Sequence, residues 1–376
     1  MASQKLALIT AAALASAGSL VACSSSDDST SSEATASQSA TEEETSSVEE
    51  EADPSSTDDA STDDASEAES SSSTVSVVST TTMLGSVVGD IVACASPDST
   101  AITLMPVGAD PHDFSPSSAQ VADMVTSDLV VANGLMLEEG LEDALENAAS
   151  DGATVLEVAP LLDPIPFGGE HGDEHDDDHG DEHGDEHGDE HGGEDGHAHG
   201  SEDPHFWFDM NRMATAAEII GAELAEDNGD VFAECGSKIA DQIRSAEQDV
   251  RALLESVPAD QRILITDHDA LGYLADVYGY EVAGTVIPSG STLAEPSSAD
   301  LVELVEVIED EGVRVIFANT ADATTLADAV AAEAGSDVQV VTLFVGSLGG
   351  PGSGAEDYVS MMLTNAELIS GALNAT

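Results

Sequence analysis

The 376-residue chain carries 76 Asp and Glu against 7 Lys and Arg, a formal net charge of −69. Binding a phosphate backbone takes clustered Lys and Arg, so this balance excludes nucleic acid as a partner. It favours a surface that resists aggregation and attracts cations.

The first residues read as an export leader. Lys5 precedes an apolar run from Leu6 to Ala22, short for a membrane-spanning helix, which needs about 20 apolar residues. The run ends in Leu20-Val21-Ala22-Cys23, which resembles a bacterial lipoprotein signal. On that reading residues 1–22 are removed and Cys23 receives lipid, anchoring the protein to the cell membrane. An ordinary secretory signal with an incidental cysteine is the alternative. Both place the mature protein outside the cytoplasm. Residues 23–74 are almost entirely Ser, Thr, Asp, Glu and Ala, with no aromatic and almost no branched aliphatic residue, so no core can form there and a disordered tether is predicted. Fifty such residues reach roughly 40 Å, more when like charges repel.

A folded body is predicted from Val75. Strand-length apolar runs occur at Val75–Ser79, Ala101–Met105, Leu129–Ala132 and Thr154–Val158, with helical patterns at Ser117–Thr126 and Leu137–Ala149. That alternation points to a parallel sheet flanked by helices. It stops at an acidic tract that repeats Asp-Glu-His-Gly. A long helical stretch follows from about Arg212 to Ser256, broken near Asp227–Asp230 and ended by Pro258. Its second half places Ile239, Ile243, Ala246, Val250 and Leu254 at helical spacing. The β/α alternation then resumes at Arg262–Thr266, Glu281–Ile287, Val313–Ala318 and Val338–Leu343, with a last helix near Tyr358–Leu373. The expected fold is α/β, with two lobes of mostly parallel sheet joined by a long rigid helix. The N-terminal lobe is 75–169, a disordered loop 170–203, the turn and linker helix 204–258, and the C-terminal lobe 259–376. Ligands in such sheets bind beyond the carboxyl ends of the strands, here in the cleft between lobes.

The histidines divide sharply. Eight of eleven (His171, His175, His179, His183, His187, His191, His197 and His199) lie in the acidic tract. A glycine in nearly every repeat argues against a stable helix there. The tract reads as weak auxiliary metal sites, with a plain solvated linker as the alternative. The other three are His112 in Gly-Ala-Asp-Pro-His-Asp-Phe, His205 in Asp-Pro-His-Phe-Trp-Phe-Asp, and His268 in Thr-Asp-His-Asp-Ala. All are expected at loop ends facing one cleft, with Pro stiffening two of the turns and nearby Asp residues able to orient the imidazoles. Three imidazoles around one point suit zinc.

Those three segments, with Ser127–Glu139 and the tail from Leu343 to Met362, resemble the zinc and manganese solute-binding proteins of ABC importers. The resemblance implies two pseudo-symmetric lobes bridged by one long helix, a metal held between them, and a permease with its ATPase as membrane partners. It also implies a monomer without enzymatic activity. A histidine at the third site and the acidic histidine tract point within that family to Zn(II) over Mn(II) as the transported ligand. The family's fourth ligand is commonly an aspartate just before Ser-Leu-Gly. Gly346 stands there, which leaves Asp110, Asp267, a tract residue or water for the fourth place. A secreted zinc hydrolase would also present three histidines and an open position, but no Gly-x-Ser-x-Gly or His-Glu-x-x-His occurs. A metal-dependent adhesin would keep the same site. Cys94 and Cys235 could pair in an oxidising compartment or stay as buried thiols.

Overall fold

Val77 and Val78 of strand β1 (Ser76–Ser79) are both wholly buried although they point to opposite faces, as expected at the centre of a parallel sheet. The computed structural model describes residues 74–167, 201–321, 323–335 and 337–375. The leader, Cys23, the tether up to residue 73 and the eight tract histidines lie outside the described residues. β1 is flanked by β2 (Thr100–Thr103) and β3 (Leu129–Ala132), and β4 (Val155–Glu157) completes the parallel order β2-β1-β3-β4. Helices α1 (Thr82–Ala95), α2 (Ser118–Thr126) and α3 (Glu142–Ser150) connect them. α2 starts where its sequence says it should, since Ser117 and Gln120 form a reciprocal capping box.

The break predicted in the long helical stretch at Asp227–Asp230 divides it into two helices. α4 (Met210–Asn228) and α5 (Val231–Leu254) reverse at Gly229, whose φ of 102° suits glycine. They pack back to back through two further glycines. A Cβ on Gly221 would lie 2.7 Å from the Phe232 carbonyl oxygen and 2.8 Å from Gly236 Cα. Gly221→Val gains under about 1 kcal/mol of helix propensity but overpacks the contact at about 1–3 kcal/mol. The variant should therefore unfold at lower denaturant, and an unchanged midpoint would show that the helix contact is loose. α5 alone makes the link between the lobes, about 36 Å long at 1.5 Å per residue.

The second sheet repeats the first. β5 (Ile263–Thr266), β6 (Glu281–Thr285), β7 (Val315–Asn319) and β8 (Gln339–Leu343) run parallel in the order β6-β5-β7-β8. Helices α6 (Gly272–Tyr278), α7 (Ser298–Glu311), α8 (Thr325–Ala334) and α9 (Tyr358–Asn374) complete this half. In both halves the strand order reverses beside the central strand, which opens a crevice at the carboxyl ends. One continuous core runs from Val77 and Val88 through Phe206, Trp207 and Met213 to Leu264, Phe317 and Tyr358. Cys94 at the end of α1 and Cys235 in α5 form a disulfide, which resolves the pairing left open by the sequence. No helix among the described residues is long and apolar enough to cross a membrane.

Six of the seven basic residues fall in the described part. Arg212, Arg244 and Arg251 are already engaged with Asp209, Glu218 and Glu247. Little positive charge remains to offset the acidic surface, so self-repulsion opposes folding. Raising salt from 0.1 to 1 M shortens the screening length from about 10 to 3 Å. The thermal midpoint should rise by roughly 5 °C or more, equivalent to about 2 kcal/mol. A midpoint that stayed level or fell would show that the surface charge is not destabilising.

Candidate metal centre

Three turns deliver the histidines to one point. His112 sits in the loop between β2 and α2, and its backbone N–H donates to Asp110 Oδ1 at 3.0 Å. His205 precedes the short helical turn Phe206–Phe208, and its N–H donates to Asp203 Oδ1 at 2.8 Å. Both Asp-Pro-His segments therefore fold the same way, the aspartate closing a turn onto the histidine two residues on. His268 follows β5, where the Thr266 hydroxyl donates to its carbonyl at 2.8 Å.

The three imidazoles are 1–3 % exposed, and their ring centroids lie 5.3, 5.5 and 5.7 Å apart. One ligand nitrogen from each falls within 4.8 Å of the others, a set that can hold a metal ion. No carboxylate belongs to that set among the described residues. Asp110 and Asp267, the two carboxylates suggested for the fourth place, are occupied nearby. Asp110 accepts the Thr292 hydroxyl on Oδ2 as well as the His112 N–H on Oδ1. Asp267 Oδ2 accepts the Asn319 N–H at 3.1 Å, and its Oδ1 lies 3.2 Å from His268 Nδ1.

Asp203 does more than its counterpart Asp110. Its Oδ1 also lies 2.8 Å from His205 Nδ1, which turns Nε2 inward, where it is buried and has no hydrogen-bond partner among the described residues. Burial pushes Asp203 up to about 7, against the opposing effect of the His205 N–H. Burial also holds His205 well below its ordinary value, and His268 adds to this. Both shifts favour the neutral form, so below about pH 7 the metal-free contact is a hydrogen bond between neutral groups rather than an ion pair. Neutral imidazole is the form that ligates a metal. Asp203 is fixed further by Tyr273, whose hydroxyl donates to the Asp203 carbonyl. A Cβ on Gly272 would come within 2.8 Å of its carboxylate. The Asn133 amide donates to the Pro204 carbonyl at 3.0 Å and so ties this turn to the end of β3.

Two carboxylates that the sequence did not single out as site residues shape the rim. Glu138 is buried and accepts the Thr80 hydroxyl and the Asn133 and Gly134 N–H groups. Burial raises its carboxyl above the usual range despite those donors. Those bonds hold a turn in which Gly134, Leu135 and Met136 all have positive φ, a conformation costly for the last two. Glu139 emerges from it with Oε1 3.8 Å from His112 Nδ1. The only sign of either residue in the sequence is a Glu pair closing the Ser127–Glu139 segment.

The mouth is tight. His112, Met136, Glu139, Phe167, Gly290 and Ser291 line a space of about 10 Å³, at the lower limit for a single water molecule. The Phe167 ring covers Gly290 so closely that a Cβ there would clash with it, and the ring lies 6.5 Å from that of His205. A larger cavity of about 220 Å³ lies beside Asp267 and Asn319 but is lined by none of the three. Gly346 packs under Pro111, with room for a Cβ only 2.8 Å from Pro111 Cδ.

Residues 77–372 match the family described as zinc-uptake complex component A, periplasmic (ZnuA). The manganese-binding lipoprotein MntA of Halalkalibacterium halodurans is 22 % identical, the alignment covering 80 % of this chain and 89 % of that protein. The zinc-binding protein TroA of Treponema pallidum is 27 % identical over 79 % of this chain and 88 % of its own length. The solved structure of the periplasmic zinc-binding protein TroA superposes with a TM-score of 0.64 at 25 % identity. It covers 80 % of this chain and 99 % of TroA. The manganese-bound periplasmic metal-binding protein of Candidatus Liberibacter asiaticus shares the fold, with a TM-score of 0.63 at 20 % identity and coverage of 80 % and 99 %.

Proposed function

The chain belongs to the family of periplasmic zinc-uptake components, the non-enzymatic metal-binding subunits of ABC importers, and we propose that its cargo is Zn(II), held by His112, His205 and His268. The observation that carries this reading is the donor set: three buried nitrogens within 4.8 Å of one another and no carboxylate among them in the described residues. Zinc accepts an all-imidazole set with one open position, whereas manganese prefers oxygen ligands. The inward-facing, unbonded His205 Nε2 is the lone pair such an ion would use. With no side-chain carboxylate at Gly346, water takes the fourth place in this reading.

The cycle has no chemical step. Zinc enters as imidazole replaces its water, and docking on the permease then favours the state that lets it go. The anchor at Cys23 and the tether 23–74 keep the monomeric body near that permease, and residues 1–22 are the leader. The lobes 75–169 and 259–376, linked by 204–258, hold the ion between them. The tract 170–203 raises the local zinc concentration through weak binding by its eight histidines.

Relatives include proteins named for zinc and for manganese, so the choice of metal is the part to test. Native mass spectrometry with equimolar zinc and manganese should show one tightly held zinc that manganese does not displace. Preferential retention of manganese would overturn the assignment.

A further inference from the structure

Two of the three histidines have an obvious carboxylate at Nδ1, Asp203 for His205 and Asp267 for His268. Both are near neighbours in sequence. His112 has its own neighbour Asp110 turned away toward its backbone N–H and Thr292. Among the described residues Glu139 lies with Oε1 3.8 Å from its Nδ1, close enough for charge attraction though beyond hydrogen-bond distance, and 27 residues further along the chain. Glu139 does not hold that position alone. The buried Ser291 hydroxyl donates to its Oε1 at 2.6 Å from the opposite half of the protein. The Leu293 N–H donates to Ser291 Oγ, so the hydroxyl's own proton is the one left for Glu139. The loop carrying Ser291 is tied to the His268 turn, since the Asp269 N–H donates to the Ser289 carbonyl. Thr292, the next residue, makes the parallel bond to Asp110. Two hydroxyls from one lobe thus grip the two carboxylates beside His112 on the other.

We propose that Glu139, held in place by Ser291, is the positioning carboxylate of His112, so that metal affinity depends on the lobes being closed. Orienting carboxylates fix the ring and raise ligand basicity. Here the orienting group is itself oriented from across the cleft. Opening the cleft breaks the Ser291 bond, frees Glu139 and relaxes His112, which loosens one of three ligands at the moment of release. The inference rests on the three histidines being the metal site.

The test is zinc affinity of the full chain, measured by competition with a chromophoric chelator, alongside the absorption spectrum of the cobalt(II)-loaded protein. Glu139→Ala should weaken zinc by about 10–100-fold and alter the cobalt spectrum. Ser291→Ala should act in the same direction, Ser291→Thr should restore binding, and the double Ala variant should be no weaker than Glu139→Ala. Should Glu139→Ala fold poorly, Glu139→Gln removes the charge at constant shape and is expected to weaken zinc as well. Zinc affinity within twofold of the parent, or effects of the two Ala variants that simply add, would overturn the proposal. His112→Ala separates the failures: if it too binds as tightly as the parent, the three-histidine site is wrong. If it loses zinc while the Glu139 variants keep it, only the role of Glu139 falls.

Discussion

His205→Ala should abolish tight zinc capture, with a loss greater than the 10–100-fold that follows removal of an outer orienting partner. The donor set has no reserve. Its members are three nitrogens, and no carboxylate among the described residues shares their point. Position 346 is a glycine closed off by Pro111. Two imidazoles and water make a weak site for zinc, which is usually held by three or four protein ligands. His205 is the sharpest of the three to remove because Asp203 leaves its Nε2 buried and without a hydrogen bond. Such a group is costly to bury, so the variant's metal-free form loses packing but is relieved of an unsatisfied nitrogen. Affinity should fall much further than metal-free stability. A chelator competition that found the His205→Ala affinity within tenfold of the parent would refute the site.

Much of this arrangement can be read before folding, and what cannot has a common cause. The eight strands of the described residues are legible as short apolar runs, the buried central β1, β3, β5 and β7 and also the more exposed β2, β4, β6 and β8, and each was anticipated to within about three residues at its ends. The histidines are legible because their partition leaves only three outside the tract. The reversal between α4 and α5 was read as a mere break, because Gly221 and Gly236 reveal themselves only when their backbones meet. Glu139 was passed over for the same reason, since its partner Ser291 is 152 residues away. That position 346 is a glycine was visible in the sequence, while the proline packed against it was not. Local chemistry is written locally, whereas contacts that join the two halves depend on register and packing that no short segment carries.

Zinc affinity should also fall steeply with acid, and Asp203 should set where the fall begins. Without metal, burial pushes Asp203 up to about 7 and holds His205 well below 6.5, so near pH 6 the pair is a neutral acid beside a neutral ring. Zinc on Nε2 favours Asp203 as a carboxylate accepting the Nδ1 proton. Loading below about pH 7 must therefore expel a proton from Asp203, and affinity should drop about tenfold per pH unit from this pair alone. Folding responds differently, and the signs follow from the two shifts. The raised Asp203 contributes stability that is full below its ordinary 3.8 and lost as pH rises through about 7. The depressed His205 contributes stability that is present above 6.5 and lost as pH falls toward its folded value. Between about 4 and 6.5 the two slopes oppose, so the pair makes metal-free stability nearly level where metal affinity is steep. Asp203→Asn separates these effects, because an amide still accepts the Nδ1 proton but has none of its own to expel. At pH 7.5 the variant should bind zinc about 10–100-fold more weakly. By pH 5.5 the gap should shrink, since the parent alone has been losing affinity through Asp203. Parallel affinity curves for the two proteins across that range would show that the proton comes from elsewhere, and that Asp203 serves the turn rather than the metal.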